Sequence, residues 1–303
     1  MTPARSRQVA TLVLIALTAI WGSTFFLIRD VVRQVSPADF LAVRFTIAAV
    51  ATLAVFWRPM LALDKREVRV GAGLGVVYGA AQILQTVGLA HTSAARSGFI
   101  TGTYVVLTPI LTAVLLRERV PRSTWAAVLL ATAGLATLSL NGFGFGFGET
   151  VTLLAAVFYA LHIVGLGRYS SPAGAAGLCA VQMVAIAVVS LVAAAPGGID
   201  LPPGAGAWFS VLYMALIAGA VAIWAQTWAQ SHLPATRAAI VMTLEPVFAA
   251  GFAVALGGES MTLRMFLGGA MVLAAMYTVE LIGRRDDLSA EQSPPAELLH
   301  HEV

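Results

Sequence analysis

The residues of this sequence that could do chemistry are a few polar side chains inside long apolar stretches. Glu245 stands in the run MTLEPVFAA, and a carboxylate at the centre of a bilayer costs several kcal/mol. Two roles are open: a protonatable group that takes up and releases protons as part of the protein's function, or a carboxyl group that braces the helical turn weakened by Pro246. We favour bracing, because one carboxylate without an obvious partner is weak evidence for a proton relay.

Amide and aromatic side chains form a second group. Tyr78, Gln82 and Gln85 are spaced i, i+4, i+7 and share one face of a helix. Amides avoid lipid, so this face should look into the protein interior. Together with aromatic residues elsewhere it would line an uncharged, aromatic-rich pocket for a small molecule. The predicted substrate-binding residues are Trp21, Tyr78, Gln82, Gln85, Phe99, Tyr104, Tyr159, His162, Trp224 and Gln226.

The remaining polar residues have structural explanations. Arg44 lies about two turns into a predicted helix and either snorkels outward or pairs with a carbonyl or carboxylate group. His162 fits a hydrogen bond between helices as well as a ligand contact. His91 and His232 are interpreted as residues at helix ends and not as metal ligands. We predict no metal site and no cofactor.

Composition indicates the environment in which these residues lie. The chain has 303 residues, of which 59% are hydrophobic and 11% charged, whereas about 25% of the residues in a soluble domain are charged. Its mean hydropathy is +0.85. A run of about 20 apolar residues crosses the hydrocarbon core as a helix. The sequence therefore predicts an all-α, polytopic membrane protein.

Ten membrane-spanning helices are predicted. Because the number is even, both termini share a side, and most of the 18 Lys and Arg residues fall on that side. The positive-inside rule then places both termini in the cytoplasm. The predicted helices span residues 8–29, 37–57, 69–90, 94–116, 122–140, 149–168, 173–194, 206–231, 235–256 and 262–282.

A repeated phrase predicts an inverted architecture. The stretch HTSAARSGFI, starting at His91, returns as HLPATRAAIV, starting at His232, 141 positions later. Five predicted spans separate the copies, so the second runs the opposite way through the bilayer, as in many secondary transporters. The predicted organisation is an N-terminal cytoplasmic tail (1–7), a five-helix repeat (8–140), a linker (141–148), a second five-helix repeat (149–282) and a disordered C-terminal tail (283–303).

Motifs of other function classes are missing from the sequence. It holds no His-Glu-x-x-His, no phosphate-binding loop with Lys and no Gly-x-Ser-x-Gly. No interleaving of basic and aromatic residues indicates nucleic-acid binding. We therefore predict no enzyme activity, and the expected partners are a small substrate and the lipid bilayer, with a monomer or homodimer as the assembly.

Several phrases resemble the drug/metabolite transporter superfamily in its ten-helix EamA-type branch. They are AIWGSTFFLIRD, PADFLAVRFTIAA, GLAHTSAARSGFITGTYVVLTPILTAVLLRERV and LPATRAAIVMTLEPVFAAGFAVALGGESMT. The resemblance implies export of small metabolites from bacteria through the inner membrane, usually without nucleotide hydrolysis. It also places Trp21, Gly22, Arg44, Pro109, Glu245, Pro246 and Glu259 on positions that recur in the family.

One branch of this family exports amino acids, aromatic ones among them. The aromatic pocket residues fit a neutral or zwitterionic, partly apolar substrate, so we predict amino acid export by alternating access. The alternative is a proton-coupled exporter of organic cations that uses Glu245. A passive pore is a rival that saturation and counterflow would exclude.

Overall fold

In the computed structural model the chain forms a bundle of α-helices. The structure describes residues 3–92, 94–139, 146–257 and 261–292, and this part of the chain contains helices and no strand. The helices are α1 (Pro3–Gly22), α2 (Phe25–Val31), α3 (Pro37–Leu61), α4 (Lys65–His91), α5 (Ala94–Gly102), α6 (Tyr104–Leu115), α7 (Arg122–Ser139), α8 (Phe147–Tyr169), α9 (Ala175–Ala194), α10 (Gly204–Ala215), α11 (Ala222–Gln230), α12 (Ala235–Met242), α13 (Leu244–Gly257) and α14 (Leu263–Gln292).

Much of this bundle is apolar enough to lie in a membrane. Within the described ranges, seven helical stretches have the length and hydropathy of a membrane span, and Leu263–Val279 is a shorter apolar helix. Large apolar side chains such as Val55, Phe209 and Leu263 stay exposed on the outside of the bundle, as lipid-facing residues would. The seven stretches are Pro37–Leu61, Lys65–His91, Ser97–Leu115, Phe147–Tyr169, Ala175–Gly197, Gly204–Gln230 and Ala235–Phe252. Helices also occupy the other predicted positions, and ten spans stays a prediction.

Three of the predicted continuous helices are broken. The breaks lie at Ser23 and Thr24 between α1 and α2, at Thr103 between α5 and α6, and at Thr243 between α12 and α13. The hydroxyl oxygen of Thr243 donates to the carbonyl of Ile240 at 2.6 Å, and Thr103 makes the same bond to Ile100. A hydroxyl bonded back to a carbonyl one turn earlier competes with the helical backbone and bends the helix.

The predicted helix over 206–231 contains a wider turn. Between α10 and α11, residues Leu216–Val221 form a π-helical segment. Two side chains from the first half of the sequence bond to carbonyls in or beside it. The indole Nε1 of Trp21 donates to Ala218 at 3.0 Å, and Nε of Arg44 donates to Met214 at 3.1 Å. π-helical segments are rare and are frequent at functional sites.

Helices from the two halves of the sequence pack against each other throughout the bundle. The closest pairs are α3 with α9, α4 with α8 and α9, α7 with α14, and α1 with α11 and α13. Gly75 permits the approach of α4 to α9, because a Cβ atom there would lie 2.5 Å from the carbonyl oxygen of Gln182. Small residues at such crossings allow close backbone packing inside membranes.

Two predicted boundaries are wrong. The gap predicted between residues 57 and 69 is largely helical, since α3 runs to Leu61 and α4 begins at Lys65 behind a capping box formed by Asp64 and Glu67. α14 continues to Gln292, so residues 283–292 of the tail predicted to be disordered are helical. This part contains Arg, Leu, Ala, Glu and Gln, which favour helices. Residues 293–303, residue 140 and most of the predicted linker (141–145 of 141–148) lie outside the described residues.

Candidate functional site

Helices from both halves of the sequence line a cavity of about 60 Å³. This volume holds roughly four water molecules, so an amino acid would enter only if side chains move. Ten of the twelve residues singled out from the sequence line the cavity: Trp21, Arg44, Tyr78, Gln82, Gln85, Tyr104, Tyr159, His162, Gln226 and Glu245.

Gln82 is the centre of a hydrogen-bond network in this cavity. Its side-chain nitrogen donates to the hydroxyl oxygen of Tyr159 at 2.8 Å and to that of Tyr78 at 3.1 Å. Its carbonyl oxygen accepts from Nη1 of Arg44 at 3.5 Å. Gln82 is buried, and these contacts satisfy both ends of its amide. The face predicted from the i, i+4 spacing therefore meets α8 through polar contacts.

The network continues from Tyr159 toward α5. The Tyr159 hydroxyl donates to the side-chain oxygen of Gln85 at 2.6 Å, and the Gln85 nitrogen donates to Thr101 at 3.1 Å. The ring of Tyr78 contacts Tyr159 edge to face, with centroids 5.6 Å apart, a favourable arrangement for aromatic pairs. A chain of polar contacts thus runs between the aromatic rings of this cavity.

Arg44 brings a positive charge to the cavity. Its side chain is 3% exposed, bonded to the Met214 carbonyl and to Gln82, and its guanidinium carbon lies 4.8 Å from the ring centre of Phe45. Among the described residues no carboxylate forms an ion pair with it. The predicted bond from Arg44 to a carbonyl group is present, and the alternative prediction that its side chain snorkels outward is wrong.

Glu245 also lines the cavity, on the first turn of α13. In the described part of the chain its carboxyl group has neither a hydrogen bond nor an ion pair, and the adjacent break is held by the Thr243 hydroxyl. The expectation of an uncharged pocket is therefore wrong, since a guanidinium and a carboxyl group both face this space. Both roles predicted for Glu245 stay predictions.

His162 takes the interhelical role that the sequence left open. Its Nε2 lies 2.8 Å from the side-chain oxygen of Gln182 on α9, and Gln182 in turn donates to Thr227 on α11 at 3.3 Å. The ring centroids of Tyr78 and His162 are 4.8 Å apart. His162 thus ties α8 to α9 at the edge of the cavity.

Comparison with known proteins identifies the family. Residues 8–140 and 146–281 match the model of the EamA-like transporter family. The chain belongs to this family. An uncharacterized transporter of Archaeoglobus fulgidus is 33% identical over 91% of this chain and 87% of its own length. The uncharacterized inner membrane transporter YedA of Escherichia coli (strain K12) is 28% identical over 91% of this chain and 93% of its own length.

A solved crystal structure shares the fold. It aligns with a TM-score of 0.76 over 91% of this chain and 97% of its own, at 19% sequence identity. The family match, together with the apolar helices of spanning length, makes the protein a membrane-embedded, multi-pass transporter of the EamA-like family. Within the described residues, no group of three or more His, Cys, Asp or Glu side chains could hold a metal ion.

Two predicted residues of this EamA-family chain do not line the cavity. Trp224 is 38% exposed, and its ring centroid lies 6.0 Å from that of Phe56. It precedes Gln226 by two residues, which turns it about 200° from Gln226 around α11. Phe99 is half-buried and packs against the apolar core.

Several lining residues were missed from the sequence. Thr86 follows Gln82 by four positions on the same face of α4, so the spacing rule already applied to Gln82 would have found it. Thr24 lies in the unpredicted break between α1 and α2, and Met242 lies beside the break at Thr243. The missed lining residues are Thr24, Ile28, Thr86, Leu89, Thr101, Ile163 and Met242.

Proposed function

We propose that this EamA-like protein is a secondary transporter that exports amino acids with aromatic or other partly apolar side chains across the bacterial inner membrane. One observation carries the proposal: a single cavity presents a guanidinium group, a carboxyl group and aromatic rings. A zwitterion with an apolar side chain is complementary to that combination, because each charged end meets an opposite charge and the side chain meets apolar surface.

The proposed mechanism is alternating access between two inverted five-helix halves, residues 8–140 and 149–282. The contacts support it, because α3 and α9 hold equivalent places in the two halves and pack against each other, as do α7 and α14. Such pairs are expected around a two-fold axis in the membrane plane. The breaks at Thr103 and Thr243 also fall near equivalent positions. The distribution of Lys and Arg favours cytoplasmic termini.

Counterflow in proteoliposomes tests this proposal. Purified protein is reconstituted with unlabelled tryptophan, phenylalanine, leucine or glutamate inside, and uptake of the same labelled amino acid is followed. A transient, saturable overshoot for the apolar amino acids and none for glutamate is expected. Equal rates for all solutes, or linear flux without counterflow, would contradict a carrier of this specificity and favour a pore.

A second candidate is a proton-coupled exporter of organic cations, favoured by the cavity-facing carboxyl group of Glu245, which has no bonded partner in the described residues. On this hypothesis Glu245→Gln abolishes accumulation driven by a pH gradient and spares downhill exchange. Wild-type flux that ignores an imposed pH gradient would exclude it.

A further inference from the structure

The side-chain oxygen of Gln226 is a buried acceptor without a donor. Gln226 is 2% exposed, lies on α11 and lines the cavity, and its Oε1 atom has no hydrogen-bond partner in the described structure. Leaving a buried polar atom unsatisfied costs about 1–3 kcal/mol. Such an atom at the wall of a substrate cavity is a vacant position for a donor that a ligand brings.

The neighbouring hydrogen bonds fix which atom of Gln226 is the free one. The nitrogen of Gln230 donates to the backbone carbonyl of Ile163 at 2.9 Å, and a carbonyl can only accept. The oxygen of Gln230 must therefore be the atom that faces Gln226, and it accepts from the Gln226 nitrogen at 3.0 Å. A flipped Gln226 amide would set two oxygens against each other, so the unpartnered atom is the oxygen.

Glu245 adds a second acceptor to the same cavity. It follows Met242 by three residues, and the Met242 sulfur lies 3.7 Å from the Gln226 nitrogen, so α11 and the α12–α13 break are in contact here. The guanidinium group of the cavity, Arg44, belongs to α3 and is bonded to α10 and α4. The acceptors Gln226 and Glu245 thus lie on α11 and α13, whereas the guanidinium donors of Arg44 come from α3.

We propose that Gln226 and Glu245 form the subsite for the ammonium group of the substrate. An ammonium group carries a positive charge and three donors, so one can reach the Gln226 oxygen while the charge is balanced by Glu245. The carboxylate end of a zwitterion is then left to Arg44. This assignment rests on the proposed function, since it concerns the same cavity, and it extends it by stating which atoms select an amine.

Ligand binding to the purified full-length protein tests the subsite without requiring transport. The probes are 2-phenylethylamine, which has the ammonium group only, 3-phenylpropionate, which has the carboxylate only, and phenylalanine, which has both. Affinities are measured for the wild type, Gln226→Leu and Glu245→Gln, with Gln34→Leu as control because Gln34 is exposed in the turn that follows α2. Loss of a charge-assisted hydrogen bond predicts a fall in affinity of roughly tenfold or more.

The expected result is that both variants lose amine and phenylalanine binding, while affinity for 3-phenylpropionate changes less than about twofold. Equal losses for all three probes, unchanged amine affinity in both variants, or no amine binding by the wild type would overturn the assignment. If Gln226→Leu does not fold, the isosteric Glu245→Gln decides.

The two proposals fail separately. Amine binding that depends on Gln226 without amino acid counterflow would refute amino acid export and keep the subsite. Counterflow with amine affinity unchanged in the variants would refute the subsite alone.

Discussion

The side-chain nitrogen of Gln82 lies 2.8 Å from the hydroxyl oxygen of Tyr159, and this bond joins α4 to α8 inside the cavity. The same hydroxyl donates to Gln85, so one oxygen atom receives a bond from one amide and gives a bond to another. The two helices thus satisfy each other's polar groups at this point of the cavity. On the proposed function a substrate replaces these bonds, and the first two predictions concern that exchange.

Gln82→Ala is expected to lower transport without removing the protein from the membrane. The change deletes the amide that contacts two tyrosine hydroxyls and Arg44. Flux in proteoliposomes should fall by roughly tenfold, the value of one hydrogen bond to a charged or polarised group. Unchanged flux at equal protein content would show that Gln82 is not a site residue.

Tyr159→Phe removes a single oxygen atom and keeps the ring. The amides of Gln82 and Gln85 then lose their common partner, which should cost about 1 kcal/mol of stability, typical of hydrogen bonds between membrane helices, and should also reduce transport. The control is Tyr169→Phe at the exposed end of α8. The prediction fails if both variants have the same melting temperature and flux.

Gly75→Ala is expected to destabilise the bundle, and Gly73→Ala is its matched control on the same helix. A methyl group at Gly75 would lie 2.5 Å from the carbonyl oxygen of Gln182, whereas at Gly73 no atom lies within 4 Å. Overpacking of this kind costs about 1–3 kcal/mol. Thermal unfolding in detergent should therefore show a lower midpoint for Gly75→Ala only. Equal midpoints would mean that α4 and α9 separate easily.

Arg44→Lys keeps the charge but loses the planar group that reaches Met214 and Gln82 together. One buried acceptor is then left without a donor, so we expect a loss of about 1–3 kcal/mol in unfolding free energy. Arg33→Lys, on an exposed side chain, serves as the control. If the two substitutions are equally harmless, Arg44 does not support the π-helical segment.

Ten of the twelve predicted residues line the cavity, and the helical periodicity of the sequence explains three of them. Tyr78, Gln82 and Gln85 repeat at the spacing of one helix face, and a polar face in an apolar chain has to avoid lipid. The Trp224 and Gln226 pair shows the limit of this reasoning. Residues two apart point to different sides of a helix, and an aromatic side chain is equally stable against lipid.

Of the three helix breaks, only the one at Thr243 lies in a turn that the sequence marked as weak, because Pro246 follows it. The other breaks were not predictable, since Thr18 makes the same hydroxyl-to-carbonyl bond as Thr103 and Thr243 inside the unbroken α1. The same holds for the π-helical segment, whose run LIAGAV reads as an ordinary apolar helix. Whether a buried acceptor such as the Gln226 oxygen lacks a donor also depends on tertiary structure, because its neighbours form their hydrogen bonds to other atoms.

The π-helical segment fixes the rotation of α11, the helix that follows it. A π turn holds one residue more than an α turn, and each residue of an α-helix rotates the chain by about 100°. If Leu216–Val221 relaxed into regular α-helix, every side chain of α11 would rotate by that amount, and Gln226 would turn its amide away from the ligand space. The helical winding of six apolar residues thus determines the direction in which the Gln226 side chain points.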